Sequence, residues 1–228
     1  MPEPEHWHRI YRERPEVFAA FARAEDPDGR IVACLERHAR LEGTTTLEVG
    51  CGTGRTSAQL AARCGRYLAT DPSPALLALA RRGGVAPWLL RARAEALPLV
   101  AGSVDRVLAT WVLAYLRPES RAGALREASR VLRPGPAAGV WVVENHWEGE
   151  FQELRGREGY GAEPGVRALL EEEGFHAVER VETEIRFGTA AEAGTVLGAL
   201  CGEAVAAALR RNPRRSFGHG VVLLHRPA

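Results

Sequence analysis

Short apolar runs alternate with segments of helical spacing along most of this chain. Thr45–Val49, Tyr67–Thr70, Trp88–Ala92, Val104–Thr110 and Val140–Glu144 are runs of strand length. Between them lie helical segments with readable ends. Arg55–Cys64 closes at Gly65, and Ser73-Pro74 caps a helix that runs to Arg82 and stops at Gly83-Gly84. Pro118–Leu132 sets Leu125, Ala128, Val131 and Leu132 on one face before Pro134-Gly135. Residues 15–25, with Pro15 first, and residues 30–41 are helical ahead of the first strand. The last third reads as helix Val166–Glu173, strand Ala177–Phe187, an Ala-rich helix Ala190–Arg211 and strand Gly220–His225. Strands alternating with helices predict a doubly wound, mostly parallel seven-stranded α/β sheet. It closes with a hairpin-like pair, and one extra helix lies between the last two strands.

Composition narrows this little. The 228 residues suit one large domain, and 46% of them are apolar, as in folded globular chains. The expected organisation is one domain over 1–228: a helical arm (1–43), a ligand-binding core (44–145) and a C-terminal part (146–228). Formal charge is +1, which gives no strong field toward nucleic acid or an anionic membrane. Every basic side chain is Arg, scattered from Arg9 to Arg226 without local patterning. The N-terminus is charged and lacks the apolar stretch of a signal peptide, and Ala193–Leu209 is too weakly apolar for a membrane span. Cys34, Cys51, Cys64 and Cys201 have no C-x-x-C spacing. The expectation is a reduced, cytoplasmic chain, monomeric or homodimeric, with no metal centre.

The densest local signal is Leu47-Glu48-Val49-Gly50-Cys51-Gly52-Thr53-Gly54. Glycines at a strand-to-helix turn let the backbone turn tightly and approach a ligand closely. The loop stands at the carboxyl end of the first strand, where open α/β sheets bind ligands. Steric need alone also explains such glycines. The dinucleotide fingerprint requires glycine where Arg55 stands, so the pattern is G-x-G-x-G preceded by an acid. Glu48 is a carboxylate in an apolar strand and needs a partner. An ammonium group fits, a diphosphate does not, and loop backbone amides serve equally well. Asp71 ends the second strand about twenty residues on, where an acid can accept ribose hydroxyls. It can also cap the helix at Ser73-Pro74.

Together with Ala69–Pro74, the glycine loop resembles the first two motifs of class I S-adenosylmethionine-dependent methyltransferases. Ala94–Leu99 with Ser103–Val107, and Arg130–Gly135, are similar to the family's later segments in the same order. The likeness spans roughly residues 45–145 and is nearest the broad subgroup that acts on small molecules. It implies the Rossmann-like methyltransferase fold and S-adenosylmethionine as cofactor. It also implies roles. Glu48, Gly50, Cys51, Gly52 and Gly54 would surround the methionine and ribose part, Asp71 would hold the ribose hydroxyls, and Pro72 would pack on adenine. Ala94 would offer its amide to the adenine ring with Glu95 beside it, and Thr110 and Trp111 would lie under the sulfonium. Arg93 stands where the family usually has an acid, and Pro136-Ala137-Ala138 replaces a usual second glycine.

Methyl transfer from a sulfonium is an in-line displacement, for which positioning can supply about 7–11 kcal/mol. A base is needed only for a protonated acceptor. His146, beyond the fifth strand, is the candidate base, or a loop histidine. Tyr115 is placed to orient the acceptor, or to pack. His6-Trp7-His8 and Tyr11 could close over the ligand, with Arg12 or Arg14 meeting the methionine carboxylate; a solvated amphipathic arm is the alternative. Three rival functions differ in what they need. An RNA or other nucleic-acid methyltransferase needs a basic, aromatic-rich surface. A non-catalytic S-adenosylmethionine-binding module would have a blocked acceptor pocket, and an NAD-dependent oxidoreductase conflicts with Arg55 and Glu48.

Overall fold

A computed structural model describes residues 4–84, 88–135, 138–146, 148–156 and 163–228. The strands are β1 (Thr45–Val49), β2 (Arg66–Asp71), β3 (Trp88–Arg91), β4 (Arg106–Thr110), β5 (Gly139–Asn145), β6 (His176–Arg186) and β7 (Ser216–Pro227). They form a seven-stranded sheet in the order β3-β2-β1-β4-β5-β7-β6. The first five are mutually parallel, and β7 runs antiparallel to both β5 and β6. The sheet is therefore the expected Rossmann-like one, mostly parallel with an antiparallel pair at its end. After β1 the chain winds outward to β3, then crosses back to lay β4 on the other side of β1. That reversal opens a crevice at the carboxyl ends of β1 and β4.

The helices are α1 (Pro4–Glu13), α2 (Pro15–Ala24), α3 (Arg30–Ala39), α4 (Arg55–Leu60), α5 (Pro74–Arg82), α6 (Pro118–Val131), α7 (Glu150–Arg155), α8 (Glu163–Glu171), α9 (Ala190–Cys201) and α10 (Glu203–Arg211). Strand side chains alternate between the two sheet faces. Leu47, Val49, Val107 and Val142 pack with Leu125, Val131, Val166 and Leu169 of α6 and α8. Leu108, Trp141 and Val143 pack on the other side with Leu35, Leu60 and Leu77 of α3, α4 and α5. Full burial of each such leucine contributes about 1.5–3 kcal/mol. A third cluster joins Ile10 and Val17 to Phe151, Ile185, Leu197, Leu200 and Phe217, bringing together α1, α2, α7, α9 and the β6–β7 pair.

Helix ends follow their residues. Ser73 Oγ accepts the Leu76 N–H at 3.3 Å, with Pro74 in the first position of α5. Asp26 holds the start of α3. Its carboxylate accepts from Arg30 N at 2.9 Å, Ile31 N at 3.0 Å and the Thr183 hydroxyl at 2.8 Å. The Asp26 N–H in turn donates to Glu184 O at 3.0 Å.

Some expected elements change. The single Ala190–Arg211 helix is two, because Gly202 sits at φ 97° and breaks it. The halves pack closely: a Cβ on Gly198 would lie 2.8 Å from Ala206 Cβ. The helix at Arg55 passes into a 3₁₀ turn over Ala61–Arg63. Val104 lies outside β4 and bridges to Leu132 instead. The strand pattern missed α7, and no separate helix was expected over Pro4–Glu13. Pro136, Ala137 and Trp147 lie outside the described residues. Among the described residues, no helix is long and apolar enough to cross a membrane.

Candidate active site

A cavity of about 990 Å³ opens at the carboxyl ends of β1, β2, β4 and β5, beneath α1 and α2. Its floor is the glycine loop. Gly50, Gly52 and Gly54 all have positive φ (72°, 56° and 81°). At Gly50 a Cβ would also stand 2.3 Å from Val112 Cγ2, so only glycine fits between loop and cavity. The loop is pinned by Cys51 N donating to Thr70 O at 2.9 Å and Gly52 N donating to Asp71 Oδ2 at 2.9 Å. Asp71 Oδ1 accepts from Ser73 N at 2.8 Å. Each oxygen keeps a further lone pair, and Asp71 lines the cavity. Burial pushes its carboxyl up, and the two backbone donors pull it back.

Gly50, Cys51, Gly52, Asp71, Pro72, Ala94, Glu95, Thr110, Trp111, Tyr11 and Tyr115 all line this space. Three expected residues do not. Gly54 caps α4 in the left-handed conformation, so its part is the turn itself. Glu48 is buried on the face that packs against α4, where Oε2 accepts from the Ser57 and Tyr67 hydroxyls. These side chains, rather than loop amides, partner it, and Oε1 is buried without a hydrogen bond. Burial raises its carboxyl.

His146 needs the larger correction. Neighbouring residues on an extended chain point to opposite sides. Asn145 enters the cavity, so His146 turns away from it. Its N–H donates to Gly220 O at 2.8 Å, and its Nδ1 accepts from Glu148 N at 3.3 Å. Burial, then Arg180, lowers its pKa. It is not placed to act as a base in this cavity.

Asn145 takes the place beside the sheet ends. Its Oδ1 accepts the Trp111 indole N–H at 2.7 Å, and its Nδ2 donates to the Tyr115 hydroxyl at 2.8 Å. Trp111 holds φ 55°, a strained conformation for a large side chain. The Arg55 guanidinium stands 5.2 Å over the Trp111 ring and pairs with Glu25 at 3.1 Å. Glu25 also lies 3.3 Å from His219 Nε2. Tyr11 packs on Phe18 with ring centroids 4.8 Å apart, and burial raises its hydroxyl well above the usual range. Burial raises Tyr115 likewise. Burial thus favours the protonated form of both phenols.

The far end of the cavity is apolar, formed by Phe21, Phe151, Leu200 and Cys201, with Arg155 among them. Phe21, Phe151, Cys201 and Arg155 were not singled out from sequence as site residues, nor were Asn145, Glu25 and Arg55. Arg55 and Asn145 were detectable, since each directly adjoins a motif. Arg12 lines the rim and bonds Glu13 at 2.8 Å, while Arg14 is not part of the lining.

Ligand spacing for a metal was also overlooked. Cys34, His38 and Glu179 place their ligand atoms within 4.8 Å of one another, between α3 and β6. Arg37 grips that glutamate through contacts of 2.6 and 2.8 Å, supplying the positive charge a cation would bring.

Comparison with known proteins agrees with this geometry. The methyltransferase domain family matches residues 47–138. The chain is 34% identical over 142 residues to an uncharacterized methyltransferase of Mycobacterium tuberculosis, an alignment covering 60% of this chain and 56% of that protein. It is 30% identical over 160 residues to the mouse tRNA (carboxymethyluridine(34)-5-O)-methyltransferase, covering 68% of this chain and 23% of the relative. Its fold is that of a Thermotoga maritima protein described as a possible histamine N-methyltransferase, with TM-score 0.57, 18% identity and coverage of 98% and 100%. Residues 47–138 thus match a methyltransferase domain within a fold shared with S-adenosylmethionine-dependent methyltransferases, and that match implies S-adenosylmethionine as cofactor. It spans little more than half the length of the first curated relatives it matches.

Proposed function

We propose that this chain folds as one domain and transfers the methyl group of S-adenosylmethionine to a small-molecule acceptor enclosed beyond the sheet ends. The observation that carries this reading is the continuity of the cavity. It runs from Asp71, Pro72, Ala94 and Glu95 past Thr110 and Trp111 into the aromatic space around Phe21 and Phe151. About 990 Å³ lies at the top of the usual range for small-molecule sites, room for two molecules end to end.

The residues fit the cofactor. Asp71 has lone pairs for two ribose hydroxyls, Pro72 and Ala94 flank a flat ring, and Gly50–Gly52 admit close backbone approach. Arg55, whose Nη1 is buried without a hydrogen bond, is set for the methionine carboxylate together with Arg12 at the rim. The bound cofactor supplies an electrophilic methyl group. The chain's own part is to hold the acceptor in line and exclude water. Trp7, Tyr11 and Phe18 cover the cofactor side, and Tyr115 and Asn145 present polar atoms to the acceptor. With both phenols protonated and His146 turned away, the acceptor enters in a form that is already nucleophilic.

A tRNA substrate belongs to the mouse relative. Here a formal charge of +1 offers no strand-tracking surface, and nucleic acid is not a partner in this reading. The test is a metabolite screen with isotopically labelled S-adenosylmethionine, followed by mass analysis. Label on a small molecule supports the proposal, and label only on RNA or protein overturns it.

A further inference from the structure

Among the described residues, one cation of the far chamber has no carboxylate partner. Arg155 ends α7 and reaches into the apolar end of the cavity. Its guanidinium lies 5.7 Å over the Phe151 ring, hydrogen-bonds the Tyr115 side chain and adjoins Cys201. Its Nε and Nη2 are both buried, and neither has a hydrogen-bond partner among the described residues. These two atoms form the side-on edge of a guanidinium, the pair of parallel donors that matches a carboxylate's two oxygens. Burying such donors unsatisfied is costly, and the cost disappears when a planar anion docks there. The neighbouring Arg55 is balanced by Glu25 at 3.1 Å; among the described residues Arg155 has no such carboxylate.

We infer that the methyl acceptor carries a carboxylate, gripped side-on by Arg155, on an apolar body that lies against Phe21, Phe151 and Leu200. This rests on the reading of the cavity as a cofactor site joined to an acceptor site. The carboxylate is an anchor. It fixes one end of the acceptor so that the other end faces the methyl group near Thr110 and Trp111. The amino-acid end of the cofactor falls to Arg55, which separates the two anionic ends of the ternary complex.

The test uses the full chain saturated with S-adenosylhomocysteine, titrated calorimetrically with benzoate, 3-phenylpropionate and octanoate, each against its amide. The expected result is that at least one acid binds about ten- to a hundredfold better than its amide. Arg155→Gln should abolish that preference while leaving S-adenosylhomocysteine affinity unchanged. Arg155→Lys, which keeps the charge without the fork, should restore only part of it. Equal binding of acids and amides, no binding of any acid, or a preference that survives in Arg155→Gln would overturn the inference alone. A tenfold loss of S-adenosylhomocysteine affinity in Arg155→Gln would also overturn it, by assigning Arg155 to the cofactor's carboxylate. Failure of the unmodified protein to bind S-adenosylhomocysteine would instead sink the cofactor reading, and this inference with it.

Discussion

The two ends of the cavity are built from different materials. The end proposed for the cofactor is made of backbone: three left-handed glycines, a carboxylate tied to two main-chain amides, and strand ends within one stretch of residues 45–111. The end proposed for the acceptor is made of side chains from α2, α7 and α9 that meet only after the whole chain has folded. Backbone geometry tolerates few substitutions, so it constrains the sequence and leaves a motif. A wall of Phe, Leu and Cys can be assembled in many ways, so it tunes specificity and leaves none.

The sharpest way to break the cofactor end is Gly50→Ala. A Cβ there meets Val112 at 2.3 Å in a left-handed backbone, so destabilisation of about 2–5 kcal/mol is expected. Urea unfolding measures it, with S-adenosylhomocysteine binding lost even where the variant stays folded. Next comes Asp71→Ala. Cofactor affinity should fall about ten- to a hundredfold for each charged hydrogen bond lost. Unchanged affinity by calorimetry in a folded variant would place the ribose elsewhere.

Phe21→Ala addresses the other end and should separate the two. Acceptor kcat/KM is expected to fall about tenfold, since a fully buried aromatic side chain contributes about 1.5–3 kcal/mol and Phe21 is only half-buried. S-adenosylhomocysteine affinity should stay constant, and a parallel loss would show the two ends are not independent. A pH effect concerns Glu144, fully buried on β5, whose Oε1 accepts from Ala114 N at 2.9 Å. Burial pushes its carboxyl up to about 8. Across the window from the ordinary carboxylate range to that value, the folded chain keeps a proton that the unfolded chain has released. Stability therefore falls as pH rises. Glu144→Gln should flatten that slope, read as urea midpoints compared at about pH 5 and about pH 8.

The same contrast explains what was legible in the sequence. The sheet was readable because each strand is a short apolar run bounded by glycine, proline or a cap. β1 appears in the structure with its expected bounds, and the helix starts at Ser73-Pro74 and Pro118 lie where their residues indicate. The break at Gly202 went unseen because a single glycine within an Ala-rich run is compatible with either one helix or two. α7 has six residues, too few for a helical period to register. His146 misled through parity. A one-residue difference at a strand end decides which side a side chain takes, and no local pattern marks where the strand stops.

The bond between Asp26 and Thr183 has a consequence for the order in which the molecule comes into being. The partners are separated by 157 positions. At a synthesis rate of roughly 5–20 residues per second, the first two helices wait roughly ten to thirty seconds on the ribosome before β6 exists to receive them. Through that interval α1 and α2 lack the α7, α9 and β6 surfaces they pack against, while β1 to β5 are being made. The chamber is thus closed by a segment made well before the walls it meets, and its aromatic face stays uncovered until those walls exist.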